Sequence, residues 1–509
     1  MSKTVFHTAS LDAHLRDESG ITGFADSISF PKNKEQLHAA IVEAFNEKHP
    51  VTIQGAKTSV YGGATPMGGS IINLSEMAVF TGFSFDQKSG RGSITLQPGV
   101  TLEQLRKVLE TKIIDTSSFD NTALSCWEQY KQSETFLFFP PNPTESTATL
   151  GGMAATNAFG SHIYSFADMR ANILAVEVIF PDGKVVCCDR ENENQPFSIT
   201  GKDGKKITLS GPAASDMRPG YCTDGSLIDF ICGSEGTAGT ISELKLSLLA
   251  SPGFTYGLLA FFNSAKQMMD FMRAMESEMK AESSADILSA DFFDCSCFDL
   301  INSMRDTVPA LEPLPEFDTN IDMALWLEIS GQGEDVLFSA LESALFCLEN
   351  TGAPTDIAMA ATETREYSRL QNMRHGISEA ANMICSGKTS FMIDAVVPRQ
   401  QYVSIISRLS QDMRELEFPH LLMGHAGTEH INLRLMPKNE RQIEHAASLY
   451  QEWIALMKDC GGVCSCEYGV GRIKKELFQA LCPERAFETK WIRGVLDSER
   501  LYNFGVLTE

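Results

Sequence analysis

The pattern C-x-x-C is absent from this chain of 509 residues, although it holds 13 cysteines spread from Cys126 to Cys482. Without paired ligand spacing, neither an iron–sulfur binding run nor a zinc ribbon is supported. The close groups are Cys187 with Cys188, Cys295 with Cys297, and Cys460 with Cys464 and Cys466. They read as free, mostly buried thiols of a reducing compartment. Positive charge is also scarce: 42 Lys and Arg face 66 Asp and Glu, a formal net charge of −24. Such a surface repels a phosphate backbone, so nucleic acid is excluded as a partner. No segment approaches ~20 uninterrupted apolar residues, and MSKTVFHTASLDAHLRDESG lacks an apolar core behind a basic head. The expectation is a cytoplasmic protein with no membrane span. Internal repeats and low-complexity tracts are absent as well.

What is present is a hydrophobic share of 43%, ordinary for a globular protein, in a chain long enough for two to four domains. KNKEQLHAAIVEAFNEKHP repeats apolar positions at helical spacing and stops at His-Pro. VTIQGAKTSVYGGATPMGGSIINLSEM reads as strand, Gly-rich loop and strand. GSITLQPGVTLEQLRKVLE reads as strand, turn and helix, with Thr101 as N-cap two residues before Glu103. These make a small α/β unit up to about residue 115. FDNTALSCWEQYKQSETF is an ill-patterned insertion before a second α/β unit, and TGKDGKKITLSGPAASDMRPG reads as a polar surface excursion. From about Pro252 to Pro419, helices such as SAKQMMDFMRAMESEMKAE alternate with strands such as DMALWLEIS and FMIDAVVP. That alternation predicts an α+β domain with an antiparallel sheet.

GAKTSVYGG, Gly55 to Gly63, lies between two strands, where glycines let main-chain N–H groups approach an anion and Thr58 and Ser59 add hydroxyls. It is not a G-x-G-x-x-G and no helix follows it, which argues against a nicotinamide site. SGKTS near Lys388 looks like a P-loop tail, but the required first glycine falls on Asn382. TLGGMAATN, GSEGTAGTIS and PGVT supply three further small-residue loops. Together the four imply a long polar ligand lying against backbone.

These loops resemble the FAD-binding domain of the vanillyl-alcohol-oxidase superfamily, in the branch of D-lactate dehydrogenases and glycolate oxidase D-subunits. FPPNPTESTATLGGMAATNAFGS, GSEGTAGTISELKL and CEYGVGRIKKELF match further signatures in order. The resemblance implies an α+β protein: a two-subdomain PCMH-type FAD-binding domain at 30–252, after an N-terminal segment 1–29. An α+β cap domain with an antiparallel sheet would follow at 253–430, and a segment at 431–509 would return to the FAD. It implies FAD contacts from Gly55, Ala56, Lys57, Thr58, Ser59 and Val60 at the pyrophosphate. From ring to diphosphate it implies Pro141, Thr149, Gly151, Gly152, Thr156, Asn157 and Gly160, and near the adenosine half Glu235, Gly239 and Ile241. The first loop has no histidine for covalent attachment, so the FAD is expected to be noncovalent.

The branch pattern G-H-x-G-D-x-x-x-H, followed about forty residues later by E-H-G-[IV]-G, is altered here. Relatives bind a divalent metal through two histidines and the glutamate, and the histidine after the glutamate takes the substrate hydroxyl proton. Here His425 and Glu467 keep ligand positions, Asn432 replaces the second histidine, Thr428 the aspartate and Tyr468 the base. An amide is a poorer ligand than imidazole, so a metal on His425 and Glu467 would be weakly held. A phenol of reference pKa ~10 is a poor base unless a cation depresses it. Arg374 matches an arginine used near the substrate carboxylate, which a guanidinium grips through two parallel bonds. The resemblance implies oxidation of a 2-hydroxy acid of the D-lactate or glycolate kind by hydride transfer to FAD, with His425, Tyr468 and Arg374 in the catalytic positions. An electron-transfer flavoprotein or an iron–sulfur subunit would take the electrons, and a homodimer is compatible with the family. The rival expectation is an FAD-binding subunit that has lost dehydrogenation.

Overall fold

A computed structural model describes residues 5–6, 9–190, 197–200, 204–209, 217–282, 285–318, 320–385 and 388–508. The chain divides into two compact units. The first takes Met1–Gly160, Ala167–Ser251 and Cys466–Glu509; the second takes Ser161–Phe166 and Pro252–Ser465.

In the first unit, β1 (Val5–Phe6), β2 (Ser27–Ser29), β3 (Val51–Gln54) and β4 (Ser70–Asn73) form a sheet in the order β1-β2-β4-β3. Strands β2 and β3 both run parallel to β4. The helix Lys34–Asn46 makes the crossover, opened by Asn33, whose side chain accepts from the Gln36 amide at 2.9 Å. Its Leu37, Ile41 and Ala44 recur at helical spacing and bury against Val51, Ile72 and Tyr502. A fully buried Leu or Ile side chain of this kind is worth about 1.5–3 kcal/mol.

A second sheet holds β5 (Phe80–Asp86), β6 (Arg91–Leu96), β7 (Leu137–Phe138), β8 (Ile173–Ile179) and β9 (Val185–Asp189). After a separate hairpin of β10 (Phe197–Thr200) and β11 (Lys206–Leu209), the long β12 (Thr240–Ala250) closes it. The order is β5-β6-β12-β8-β9, with β7 also pairing β12, and all pairs are antiparallel. Strand β11 and the last residue of β10 fall in the stretch expected to be a polar excursion, of which 201–203 and 210–216 lie outside the described residues. Thr101 caps the helix Leu102–Thr111 in a capping box whose reciprocal partner is Gln104, not the neighbouring Glu103.

The segment expected to be ill-patterned is a helix, Asn121–Gln132. Asp120 caps it by accepting from the Ala123 amide at 2.8 Å, and Ala123, Trp127 and Tyr130 share its buried face. Those three positions, four and three residues apart, are a helical stripe too sparse to stand out among polar neighbours. Trp127 meets Phe83 edge-on at 4.7 Å between ring centroids, and Tyr130 lies 5.3 Å from Phe85.

The second unit is built on one eight-stranded antiparallel sheet. It contains β13 (Phe254–Phe262), β14 (Ala285–Asp294), β15 (Met323–Gly331), β16 (Met359–Ala361), β17 (Phe391–Val396), β18 (His420–His425), β19 (His430–Leu435) and β20 (Val463–Cys464). Their order is β16-β13-β15-β14-β18-β19-β17-β20. All nine residues of β15 are buried, as befits a strand with both faces covered. Helices Cys295–Met304, Thr364–Gln371 and Met373–Cys385 enclose an apolar core that includes Phe298, Trp326 and Ile377. The boundary expected after residue 430 falls within β19, because β18 and β19 are the two arms of one hairpin. The described residues include no helix long and apolar enough to cross a membrane.

Replacing Trp127 with Ala is expected to cost about 3–5 kcal/mol, read as an earlier urea transition of the first unit, because the indole is almost wholly enclosed. A shift under about 1 kcal/mol would show that the 121–132 helix is not part of that core.

Candidate functional site

The loop Gly55–Gly63 leaves the C-terminal end of β3 and is closed from beneath by the buried Gln54. The Gln54 side-chain amide donates to the Ala64 carbonyl at 2.7 Å and to the His14 carbonyl at 2.8 Å. Ser59 turns its hydroxyl inward, accepting from the Gly63 amide at 3.0 Å. Lys57 stands at φ +63°, the left-handed conformation that glycine adopts without strain. Its ammonium donates to the Ala13 carbonyl at 2.6 Å, and burial lowers its pKa.

This loop is one wall of a cavity containing about 1260 Å³ of space, part of it open to solvent. The remaining walls are Pro98, the helix Leu150–Thr156 with its cap Thr149, the loop Ser234–Gly236, Gly239–Ile241, and Glu467 with Tyr468. A Cβ on Gly55 would strike the Thr149 hydroxyl, and one on Gly151 would lie 2.5 Å from Pro98 Cβ. Both glycines therefore keep the walls at backbone distance. Among the described residues, the charged ones lining it are Lys57, Glu145, Glu235 and Glu467. With three carboxylates and a lysine engaged by Ala13, the wall offers an anion main-chain N–H groups and hydroxyls rather than an ion pair.

Of the residues expected at the cofactor, Gly55, Ala56, Lys57, Thr58, Ser59, Thr149, Gly151, Gly152, Thr156, Glu235, Gly239 and Ile241 line this cavity. Val60, Pro141, Asn157 and Gly160 do not. Asn157 is buried beneath the helix, donating to Asp168 at 2.8 Å and accepting from the Arg170 amide at 2.9 Å. Gly160 packs on the Asn142 carbonyl. Ser234 and Gly236 were legible as neighbours of Glu235 in the same loop. Asn503 had no local signal: it joins the lining from the far end of the chain, accepting from the Ile53 amide at 2.8 Å.

Tyr468 is partly buried, stands at φ +62°, and its ring lies 6.5 Å from that of Tyr61. The Tyr61 ring carries the Lys474 ammonium 4.6 Å from its centre, and Lys474 also donates to the Glu467 carbonyl at 3.0 Å.

In the second unit, Asp291 on β14 and His425 on β18 are cross-strand partners. His425 Nδ1 bonds Asp291 Oδ1 at 2.6 Å, so any ligand or proton chemistry of that imidazole runs through Nε2. Ser161 donates to the other Asp291 oxygen at 2.8 Å. Arg374, buried in the helix Met373–Cys385, reaches Ser161 at 3.2 Å and Asp291 at 3.9 Å. Burial pushes the Asp291 carboxyl up, but the charges of His425 and Arg374 and the bonds from His425 and Ser161 outweigh it and hold it below the usual carboxylate range. His430 stacks on His425 with 5.1 Å between ring centroids and bonds Asp394 at 2.7 Å through Nε2. Asn432, buried on β19, is the register partner of Asp394. Sequence reasoning missed Asp291 and Asp394, although each was visible as a carboxylate inside an apolar strand.

Residues 25–120 and 130–189 match the FAD binding domain family, and residues 255–507 match the FAD linked oxidases, C-terminal domain. The chain is 24% identical over 504 residues to a probable mitochondrial D-lactate dehydrogenase of Danio rerio, covering 98% of this chain and 87% of that one. It is 24% identical to the D-lactate dehydrogenase of Anaerostipes hadrus, over 92% of this chain and 86% of that one. To the glycolate oxidase subunit GlcD of Bacillus subtilis it is 21% identical, over 94% and 88%. A solved alkyldihydroxyacetonephosphate synthase superposes with a TM-score of 0.61 at 13% identity, covering 98% of this chain and 82% of that one, which places the two in one fold.

Gly151→Ala is expected to weaken FAD binding at least about tenfold, because the added methyl drives the helix off Pro98; flavin absorbance retained through gel filtration measures it. A second expectation concerns pH. The Asp291 carboxyl lies below its ordinary 3.8, so its stabilising contribution is complete above that value and is lost as pH falls through the lowered one. The gap in urea midpoint between the native protein and Asp291→Asn should be full at about pH 7 and shrink toward about pH 3.

Proposed function

Because the chain belongs to the FAD-linked oxidoreductases, related to D-lactate dehydrogenase and glycolate oxidase, we propose that it oxidises a D-2-hydroxy acid to the 2-oxo acid. The bound FAD supplies the hydride acceptor. The observation that carries the reading is the Asp291–His425 pair. A carboxylate on Nδ1 fixes the imidazole as the tautomer whose Nε2 accepts a proton, and it stabilises the imidazolium that forms. His425 therefore takes the substrate hydroxyl proton, the role that a histidine at position 468 would have served. Arg374 binds the substrate carboxylate, its guanidinium oriented beforehand by Ser161 and Asp291. Tyr468 donates its phenolic hydrogen to the substrate oxygen.

An Asn432 amide in place of an imidazole is a weaker donor for a transition metal, and no step above runs through one. With FAD as hydride acceptor, turnover would call for an outside electron acceptor, since the chain has no cysteine spacing for a cluster of its own. An electron-transfer flavoprotein or an iron–sulfur subunit is the acceptor this chemistry calls for.

The test is anaerobic mixing of the FAD-loaded protein with D-lactate, glycolate and D-2-hydroxyglutarate, followed by bleaching of the flavin. At least one is expected to reduce it. Tyr468→Phe should slow reduction at least about tenfold, Arg374→Met should raise the half-saturating concentration by more than about tenfold, and Asp291→Asn should displace the pH profile. If none of the acids bleaches the flavin, the chain is a flavin-binding subunit rather than a dehydrogenase.

A further inference from the structure

Glu235 lines the cavity, yet both of its carboxylate oxygens are engaged by the chain itself. Oε1 accepts from the Val470 amide at 2.7 Å and Oε2 from the Gly471 amide at 2.8 Å. Its backbone is held too: the Glu235 amide donates to the Ala155 carbonyl at 2.8 Å, and its carbonyl accepts from the Asn503 side chain at 2.7 Å. That fixation keeps a non-glycine residue at φ +51°.

The receiving segment has an unusual backbone. Tyr468, Gly469 and Gly471 stand at φ +62°, +76° and +55°, so the run can join neither a helix nor a ladder. Left-handed residues interleaved this way turn successive amides to the same side, forming a concavity that binds an anion. Elsewhere along the segment other groups satisfy the main chain. The Cys466 amide donates to Met217, the Gly469 amide to Cys466, and the Arg472 and Ile473 amides both to Tyr61. For Val470 and Gly471 the anion is Glu235.

We propose that Glu235 is a positioning residue: it fills the amide concavity of the C-terminal turn and sets the conformation in which Glu467 and Tyr468 face the cavity. This assigns Glu235 a different partner from the adenosine half of the cofactor. The consequence for catalysis rests on the role given to Tyr468 above; the link between Glu235 and the turn does not.

Glu235→Gln keeps the shape but can accept only one of the two amides, and its NH2 faces the other N–H. Glu235→Asp keeps the charge and is one methylene too short to reach both. In the FAD-loaded protein, each variant is expected to exchange amide hydrogens in peptides spanning residues 466–474 at least about tenfold faster, with exchange in the second unit unchanged. Flavin reduction by a hydroxy acid should slow in step, while reduction by dithionite stays at the native rate. Native exchange across 466–474 in both variants, with FAD affinity lowered tenfold, would overturn the proposal and return Glu235 to the cofactor. If the native protein is reduced by no hydroxy acid, the hydroxy-acid reading fails, and the exchange comparison still decides the role of Glu235. Should Glu235→Gln be insoluble, Glu235→Asp alone carries the comparison.

Discussion

Among the described residues, the cavity of the first unit offers an anion no uncommitted cation. Coulomb attraction is unavailable because the lining carries three glutamates and a lysine whose ammonium is spent on the Ala13 carbonyl. What remains is main-chain N–H groups and hydroxyls, and they act only at contact distance. Gly55 and Gly151 follow from that requirement, since a side chain on either would push the walls apart. So does the left-handed backbone of Lys57. Each such residue costs of order 1 kcal/mol and persists only where its surroundings hold it.

The second unit meets the opposite problem, since it places charge where there is little water. Asp291, Arg374, His425, His430 and Asp394 are all buried. Isolated ions there would be costly, and all but Arg374 find their partners through the sheet. Strand register puts Asp291 opposite His425. Two strands beyond β18, β17 sets Asp394 opposite Asn432 of β19, and His430 reaches it on the diagonal. A slip of one residue in either pairing would send these side chains to the opposite face. The chemistry of this unit is therefore a property of pairing, with Arg374 added from a packed helix.

Much of the first unit was legible because its signals are local. A cap lies within three residues of the amide it serves, and a Gly-rich turn carries its conformation in its own composition. The loops at Gly55, Thr149 and Glu235 were visible for that reason. The 121–132 helix was obscured because only Ala123, Trp127 and Tyr130 face inward. The boundary expected after residue 430 went inside a strand because a hairpin turn and a domain border look alike in one dimension. Asp291 could be noticed as a carboxylate among apolar residues, but its partner His425 lies 134 residues away.

By itself the sequence determined the α+β class and the four small-residue loops, and its resemblance to a known family implied the flavin and the replacement of two histidines by Asn432 and Tyr468. These are matters of residue identity and short-range spacing. Tertiary structure alone decided that His425 is paired with a carboxylate, that Lys57 turns its charge toward Ala13, and that Glu235 spends both oxygens on the amides of Val470 and Gly471. The reason is physical: a buried polar group must be satisfied by whatever the fold brings within about 3 Å. Sequence separation places no limit on that partner, since Val470 lies 235 positions along the chain from Glu235.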